Sequence, residues 1–205
     1  MHQDANIILA SGSRARREML RSAGVSFTVE TADVDEDAIR AALRDENGEA
    51  TVDPADIAEI LAVAKAETVS RLQPDAFVIG GDQVLAFGED VITKPKDEAA
   101  ARRQLASFRG KVHALHSAVA LAHNGETLWS MVDTAEMYVR DFSDAFLDDY
   151  MRRAGRTVLD SVGAYLMEDL GIQLFERIEG DYFTVLGMPL MPLLAELRAR
   201  RLLLT

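Results

Sequence analysis

Short apolar runs alternate along the chain with longer stretches of helical spacing. Ile7–Ala10 is apolar and closes on Ser11-Gly12-Ser13, the pattern of a buried strand meeting a turn. Ser13 precedes a helical stretch in which Ala15, Met19 and Leu20 share a face and Gly24 is the stop. Residues 27–29 predict a second strand, which runs into the acidic segment 33–37. Residues 38–52 are polar and predict irregular or loosely helical chain. Asp53-Pro54 is a helix start, an N-cap followed by proline in the first turn. Ile57, Ile60, Leu61, Ala64 and Leu72 then form one apolar stripe that Pro74 ends. AFVIGG (76–81) predicts a buried strand with Asp82 at its end.

The second half continues in the same style. Residues 85–92 predict a hairpin around Gly88-Glu89-Asp90, and a helix follows over 98–108. Asn124-Gly125 between the apolar runs 113–122 and 127–140 is a strong hairpin signal. Ser143 is placed to cap a helix through Phe146, Leu147, Tyr150 and Met151. A strand over 172–178, a turn at Glu179-Gly180-Asp181 and an amphipathic helix over 190–202 complete the pattern. Strands and helices interleave around at least one long antiparallel hairpin. The fold class is therefore α/β with a mixed sheet. The length suits one domain over residues 1–205, or two small lobes sharing one core.

Composition narrows the function. With 22 Lys and Arg against 34 Asp and Glu, the net charge is -12, which repels nucleic acid overall. Cysteine is absent, which removes disulfides, thiolate catalysis and Cys-type zinc sites together. The start has no basic segment ahead of an apolar one. The longest nearly apolar stretch, 185–195, is too short to span a membrane and holds two prolines. The expectation is a soluble cytoplasmic protein. His113 and His116 face opposite sides of a strand, His123 lies in a turn and His2 is terminal, so no zinc site is expected. Neither a G-x-S-x-G elbow nor a dinucleotide fingerprint occurs.

Four groups could carry chemistry. Residues 11–17 hold two serines and three arginines where a strand feeds a helix. Free N–H groups, the helix dipole and Arg16 there suit an anion, although a plain Ser cap with solvated arginines shows the same pattern. Asp82 follows a buried strand, where ligands of open α/β sheets gather; it is either a metal or proton site or the start of a turn. The acidic run around Asp35 and Glu36 is a solvated loop, or offers oxygen ligands to a hard cation if the fold brings it to Asp82. Lys65, close to the apolar side of its helix, and Lys94, before a proline, either snorkel to water or reach a polyphosphate.

Taken together these stretches resemble the Maf family, nucleoside triphosphate pyrophosphatases once described as septum formation inhibitors. The resemblance rests on ILASGSRARREML (8–20), Val34-Asp35-Glu36, Ala64-Lys65-Ala66, IGGDQV (79–84) and Lys94-Pro95. Gly110-Lys111-Val112-His113, Val162-Gly163-Ala164-Tyr165 and VLGMPL (185–190) continue it in order, so it covers essentially the whole chain. It implies a mixed twisted sheet in two lobes with a central cleft, similar to inosine triphosphate pyrophosphatases. It implies hydrolysis of a nucleoside triphosphate to the monophosphate and pyrophosphate, with magnesium or manganese, by a homodimer. By the resemblance Asp82 is the catalytic aspartate and a metal ligand, Glu36 a second metal ligand, and Lys65 and Lys94 the pocket lysines. Ser11, Ser13 and Arg16 form the phosphate-binding turn.

Gln83 and Glu168 match the subgroup acting on 7-methyl-GTP, and Glu168 could accept from the N–H edge of a guanine. Two positions depart from the family pattern: Arg14 stands where proline is usual, and Ala15 where that subgroup carries tryptophan. DENGEATVD (45–53) reads as an inserted loop. A non-catalytic nucleotide-binding regulator of cell division is the alternative function; it has less need of a strand-end carboxylate.

Overall fold

A computed structural model describes residues 6–43, 45–46 and 51–204. His2 and residues 47–50 of the 45–53 segment lie outside the described residues. The elements in order are β1 (Ile7–Ala10), α1 (Arg14–Ser22), β2 (Thr28–Val29), α2 (Glu36–Ala42), α3 (Pro54–Leu72), β3 (Phe77–Phe87) and β4 (Asp90–Ile92). Then come α4 (Glu98–Phe108), β5 (Val112–His123), β6 (Glu126–Val139) and α5 (Asp144–Ala154). Two short 3-10 helices, Gly155–Leu159 and Leu170–Leu174, precede β7 (Phe175–Glu179), α6 (Tyr182–Val185) and α7 (Leu190–Ala199). Parallel and antiparallel pairings both occur, so the expected α/β mixed sheet is present. Among the described residues, no helix is long and apolar enough to cross a membrane.

The chain divides into two compact units. The first is formed by the described residues of Met1–Gln83, His116–Asp133 and Asp181–Thr205. In it the strand order is β2-β1-β3-β5-β6, and β1 runs parallel to both neighbours, with Leu9 opposite Val29 on one side and Ile79 on the other. Alternate residues of β1 serve opposite faces. Ile7 and Leu9 join Met19 and Leu20 of α1 and Leu193 and Leu197 of α7 in one core cluster. Ile8 and Ala10 join Val78 and Val69 of α3 in another. Covering both faces of a parallel strand explains why IILA has no polar position.

The second unit is formed by Val84–Leu115 and Thr134–Gly180. Leu85 pairs with Ile92 in an antiparallel β3–β4 hairpin, and β6 pairs with β7. Its core holds a buried imidazole. His113 stacks on Phe108 at 4.7 Å, and its Nε2 lies 2.7 Å from the Tyr165 hydroxyl. Nδ1 is buried without a hydrogen-bond partner, and burial pushes the imidazole from 6.5 down to about 3.

Below pH 6.5 the unfolded chain binds a proton here that the folded chain refuses. The stability this group permits is therefore complete above 6.5 and is lost progressively towards 3. From this group alone, the unfolding free energy should fall by about 2 kcal/mol between pH 7 and pH 5. Scanning calorimetry across that range is the check, and a melting temperature that stays flat would contradict it.

Three expectations change. AFVIGG does not end at Asp82; the apolar residues that follow carry β3 on to Phe87, so Asp82 is an interior strand residue. The strand expected over 172–178 begins only at Phe175, because Asp169 caps a 3-10 turn through Leu174. Residues 38–42, the first part of the polar region, are regular helix in α2, nucleated by Asp35, whose side chain accepts from the Ala38 amide at 2.9 Å. The Asn124-Gly125 turn is as expected, both residues at positive φ (51° and 79°), as a two-residue hairpin turn of this hand requires.

Candidate active site

β1 delivers Ser11, which is buried, into the turn before α1. The Ser13 amide donates to Ser11 Oγ at 3.3 Å, and Ser13 Oγ caps the helix by accepting from the Arg16 amide at 3.4 Å. The amides of Arg14 and Ala15 have no acceptor within their own helix, which leaves the first turn suited to an anion. Arg16 stands three and four residues before Met19 and Leu20, so it shares their buried face. There its Nε donates to Gly187 O at 2.8 Å, and its Nη1 donates to Ser11 Oγ at 3.1 Å and Gly81 O at 2.9 Å.

Arg16 is thus first a strut tying the turn to β3 and to the segment after α6. Only Nη2 is left out of these three bonds. Burial pulls the guanidinium below its ordinary value, with Asp82 and Glu36 pulling the other way, and it stays charged at neutral pH. Arg16→Ala should cost about 3 kcal/mol, because three buried hydrogen bonds are lost at once. Arg16→Lys should recover little, since an ammonium lacks the planar fork. Chemical denaturation measures both; a loss for Arg16→Ala below about 1 kcal/mol would remove the strut role.

Successive residues of β3 face opposite ways. Gly81 and Gln83 face Arg16; a Cβ on Gly81 would stand 3.1 Å from Arg16 Nε. Gly80 and Asp82 face α3. A Cβ on Gly80 would fall 2.2 Å from the Ala62 carbonyl oxygen, so α3 lies directly on the strand backbone. That approach brings Lys65, one residue before the buried Ala66, to Asp82. Lys65 Nζ donates to Asp82 Oδ1 at 2.6 Å and lies 2.7 Å from Glu36 Oε1.

The lysine therefore bridges two carboxylates that are 46 positions apart in the sequence, and the condition set for the acidic run, that the fold bring it to Asp82, is met. Asp35 is not part of the pair; its side chain is the cap that fixes Glu36 in the first turn of α2. Arg40, one turn further on, joins them without any signal in the sequence pattern. Its Nη2 lies 3.6 Å from Asp82 Oδ2 and 3.8 Å from Glu36 Oε2.

Gln83 Nε2 faces three acceptors, Ser117 Oγ at 2.9 Å and the carbonyl oxygens of Val185 at 3.1 Å and Thr184 at 3.2 Å. Carbonyls only accept, so they fix the amide with Oε1 turned away from them. Lys94 and Glu168 belong to the second unit. Lys94 is exposed and precedes the buried Pro95; Glu168 is exposed in the turn before Leu170.

Could the first unit hold a divalent cation? Among the described residues no group of three or more carboxylate or imidazole side chains gathers as a ready cage. Magnesium, however, binds through one or two carboxylates and completes its shell with water and substrate phosphates. Asp82 Oδ2 is buried and takes no hydrogen bond, while Glu36 stands beside it through the shared lysine. That donor set fits a hard cation brought in with a polyphosphate.

Residues 6–200 match the family described as Maf-like protein. A protein of Brucella suis named 7-methyl-GTP pyrophosphatase is 50% identical over 195 residues, covering 95% of this chain and 96% of its own. One of Bradyrhizobium diazoefficiens named nucleoside triphosphate pyrophosphatase is 48% identical over 197 residues, covering 96% and 95%. Among solved structures, a HAM1 protein from Coxiella burnetii gives a distant likeness, with a TM-score of 0.40 at 16% identity over 67% of this chain and 74% of its own.

Proposed function

The chain belongs to the family of Maf-like proteins, and on that premise we propose that it hydrolyses nucleoside triphosphates to the monophosphate and pyrophosphate. The observation that carries this reading is the bridge at Lys65. It places a strand carboxylate with one oxygen free of hydrogen bonds beside a second carboxylate and two cations. A non-catalytic nucleotide binder has no use for a desolvated carboxylate at that point.

In this reading the substrate's phosphates meet the first turn of α1, with Ser11 and Ser13 shaping the turn and Arg16 holding it. Asp82 accepts a proton from the attacking water. The water oxygen bonds to the α-phosphorus as the bond to the α–β bridging oxygen breaks, and pyrophosphate leaves with that oxygen. Lys65 and Lys94 are assigned to the negative charge on the phosphate oxygens. A magnesium or manganese ion held by Asp82 and Glu36 would stabilise the departing charge.

Gln83 and Glu168 are assigned to the base. The fixed amide of Gln83 presents an acceptor, as does a carboxylate at Glu168, and both suit the N–H edge of a purine such as 7-methyl-GTP. The proposal includes a homodimer in the cytoplasm, as the family resemblance implies.

The test is a panel of nucleoside triphosphates, 7-methyl-GTP and GTP among them, assayed for pyrophosphate with magnesium or manganese. Metal-dependent pyrophosphate release, fastest with a purine, is expected. Binding without turnover across the panel would return the protein to the regulator class.

A further inference from the structure

Asp82 brings a buried negative charge, its side chain 8% exposed, and Glu36 beside it is 42% exposed; Lys65 supplies one positive charge between them. Arg40 supplies another, and the buried Arg16 feels the same two carboxylates. Lys65 and Arg40 divide the carboxylate oxygens between them: Lys65 meets Oδ1 of Asp82 and Oε1 of Glu36, whereas Arg40 faces Oδ2 and Oε2.

They do so at different distances. The Lys65 contacts are 2.6 and 2.7 Å, within hydrogen-bond length. Those of Arg40 are 3.6 and 3.8 Å, beyond it, and Asp82 Oδ2 has no hydrogen bond at all. A guanidinium committed to a carboxylate normally closes to about 2.8 Å. Arg40 balances the charge without closing on the oxygen. Its helix also anchors it lightly, since α2 has no buried residue.

We propose that Arg40 is a placeholder for the divalent cation: it neutralises Asp82 Oδ2 and Glu36 Oε2 until a metal takes those oxygens, and it competes with the metal for them. This rests on the metal-dependent reading above. Asp82 Oδ2 is buried and takes no hydrogen bond, so a positive charge facing it offsets part of the cost of desolvating that oxygen. A fixed second cation at hydrogen-bond length would hold the same oxygens against a metal. A long side chain on a lightly anchored helix satisfies both demands, because it can leave when the incoming ion brings its own two charges.

Manganese binding to the protein without nucleotide tests this, with free Mn(II) counted by electron paramagnetic resonance. Arg40→Gln should bind Mn(II) about tenfold more tightly than the unsubstituted protein, because a repelling charge beside the ion is gone. Arg40→Lys, which keeps the charge, should bind within about twofold of it. A second measurement needs no variant: Mn(II) should raise the rate at which phenylglyoxal modifies Arg40, read at peptide level by mass spectrometry, as the side chain is displaced. If the unsubstituted protein binds Mn(II) but Arg40→Gln binds equally or more weakly, or Mn(II) protects Arg40 from modification, the placeholder role is wrong and the metal reading stands. If none of the proteins binds Mn(II) without nucleotide, the placeholder role is wrong as well, and the metal reading is then decided by the metal dependence of pyrophosphate release.

Discussion

Asp82→Asn is expected to lower kcat for triphosphate hydrolysis by about a thousandfold while the protein stays folded. The amide occupies the space of the carboxylate, and Lys65 keeps its second partner, Glu36, at 2.7 Å, so no cation is stranded. What disappears is the group that can take the proton from water, together with the oxygen left free of hydrogen bonds. The effect should fall on kcat. The variant also loses a metal ligand and should need more metal; at saturating metal, removing a negative charge beside a polyanionic substrate does not weaken its binding, so KM should hold or drop. Lys65→Ala would behave differently. It leaves Asp82 buried without its hydrogen-bonded partner, and should lower stability and activity together. Steady-state kinetics with a melting curve for each variant separate the two patterns. An Asp82→Asn enzyme within tenfold of the unsubstituted kcat would show that the proton goes elsewhere.

Much of this site could be read from the chain because its parts lie at local junctions. Ser11 and Ser13 occupy a strand-to-helix turn that the apolar run 7–10 and the cap signal define without tertiary information. Lys65 interrupts an alanine-rich helical face, which is a signal in itself.

Other features depended on packing that no window of sequence contains. The cluster of arginines around Arg16 reads as solvated or substrate-facing, yet its spacing to Met19 and Leu20 puts it on the apolar face. That spacing was the available sign that it would be buried. Arg40 gave less warning. It lies in a polar stretch with no apolar stripe, and the group that makes it significant, Asp82, is supplied by a strand 42 positions later. Asp82 was expected at a strand end because Gly80-Gly81 reads as the close of a run. The glycines are there for a different reason: each clears one face of a strand that continues.

That reason makes Gly80→Ala the sharpest structural test of the site. The added methyl would meet the Ala62 carbonyl oxygen at 2.2 Å and the Ala66 Cβ and amide nitrogen at 2.8 Å. These are mostly backbone atoms of a 19-residue helix, not the tip of a side chain that can rotate away. The helix has to lift from the strand. Overpacking against rigid backbone should cost about 3 kcal/mol. Lys65 rides on the same turn of α3, so its 2.6 Å contact with Asp82 should lengthen with the shift. Misplacement of a reacting group by about 1 Å costs on the order of a hundredfold in rate, so activity should fall further than the lost stability accounts for at temperatures where the variant is still folded.

Gly81→Ala, one residue along on the other face, meets Arg16 Nε at 3.1 Å and Cδ at 3.2 Å, atoms of a side chain that can give by a few tenths of an ångström. It should be the milder change by at least about 1 kcal/mol. If the two alanine variants prove equally stable and equally active, α3 is not seated on Gly80 as described, and the bridge from Lys65 to Asp82 loses its structural cause.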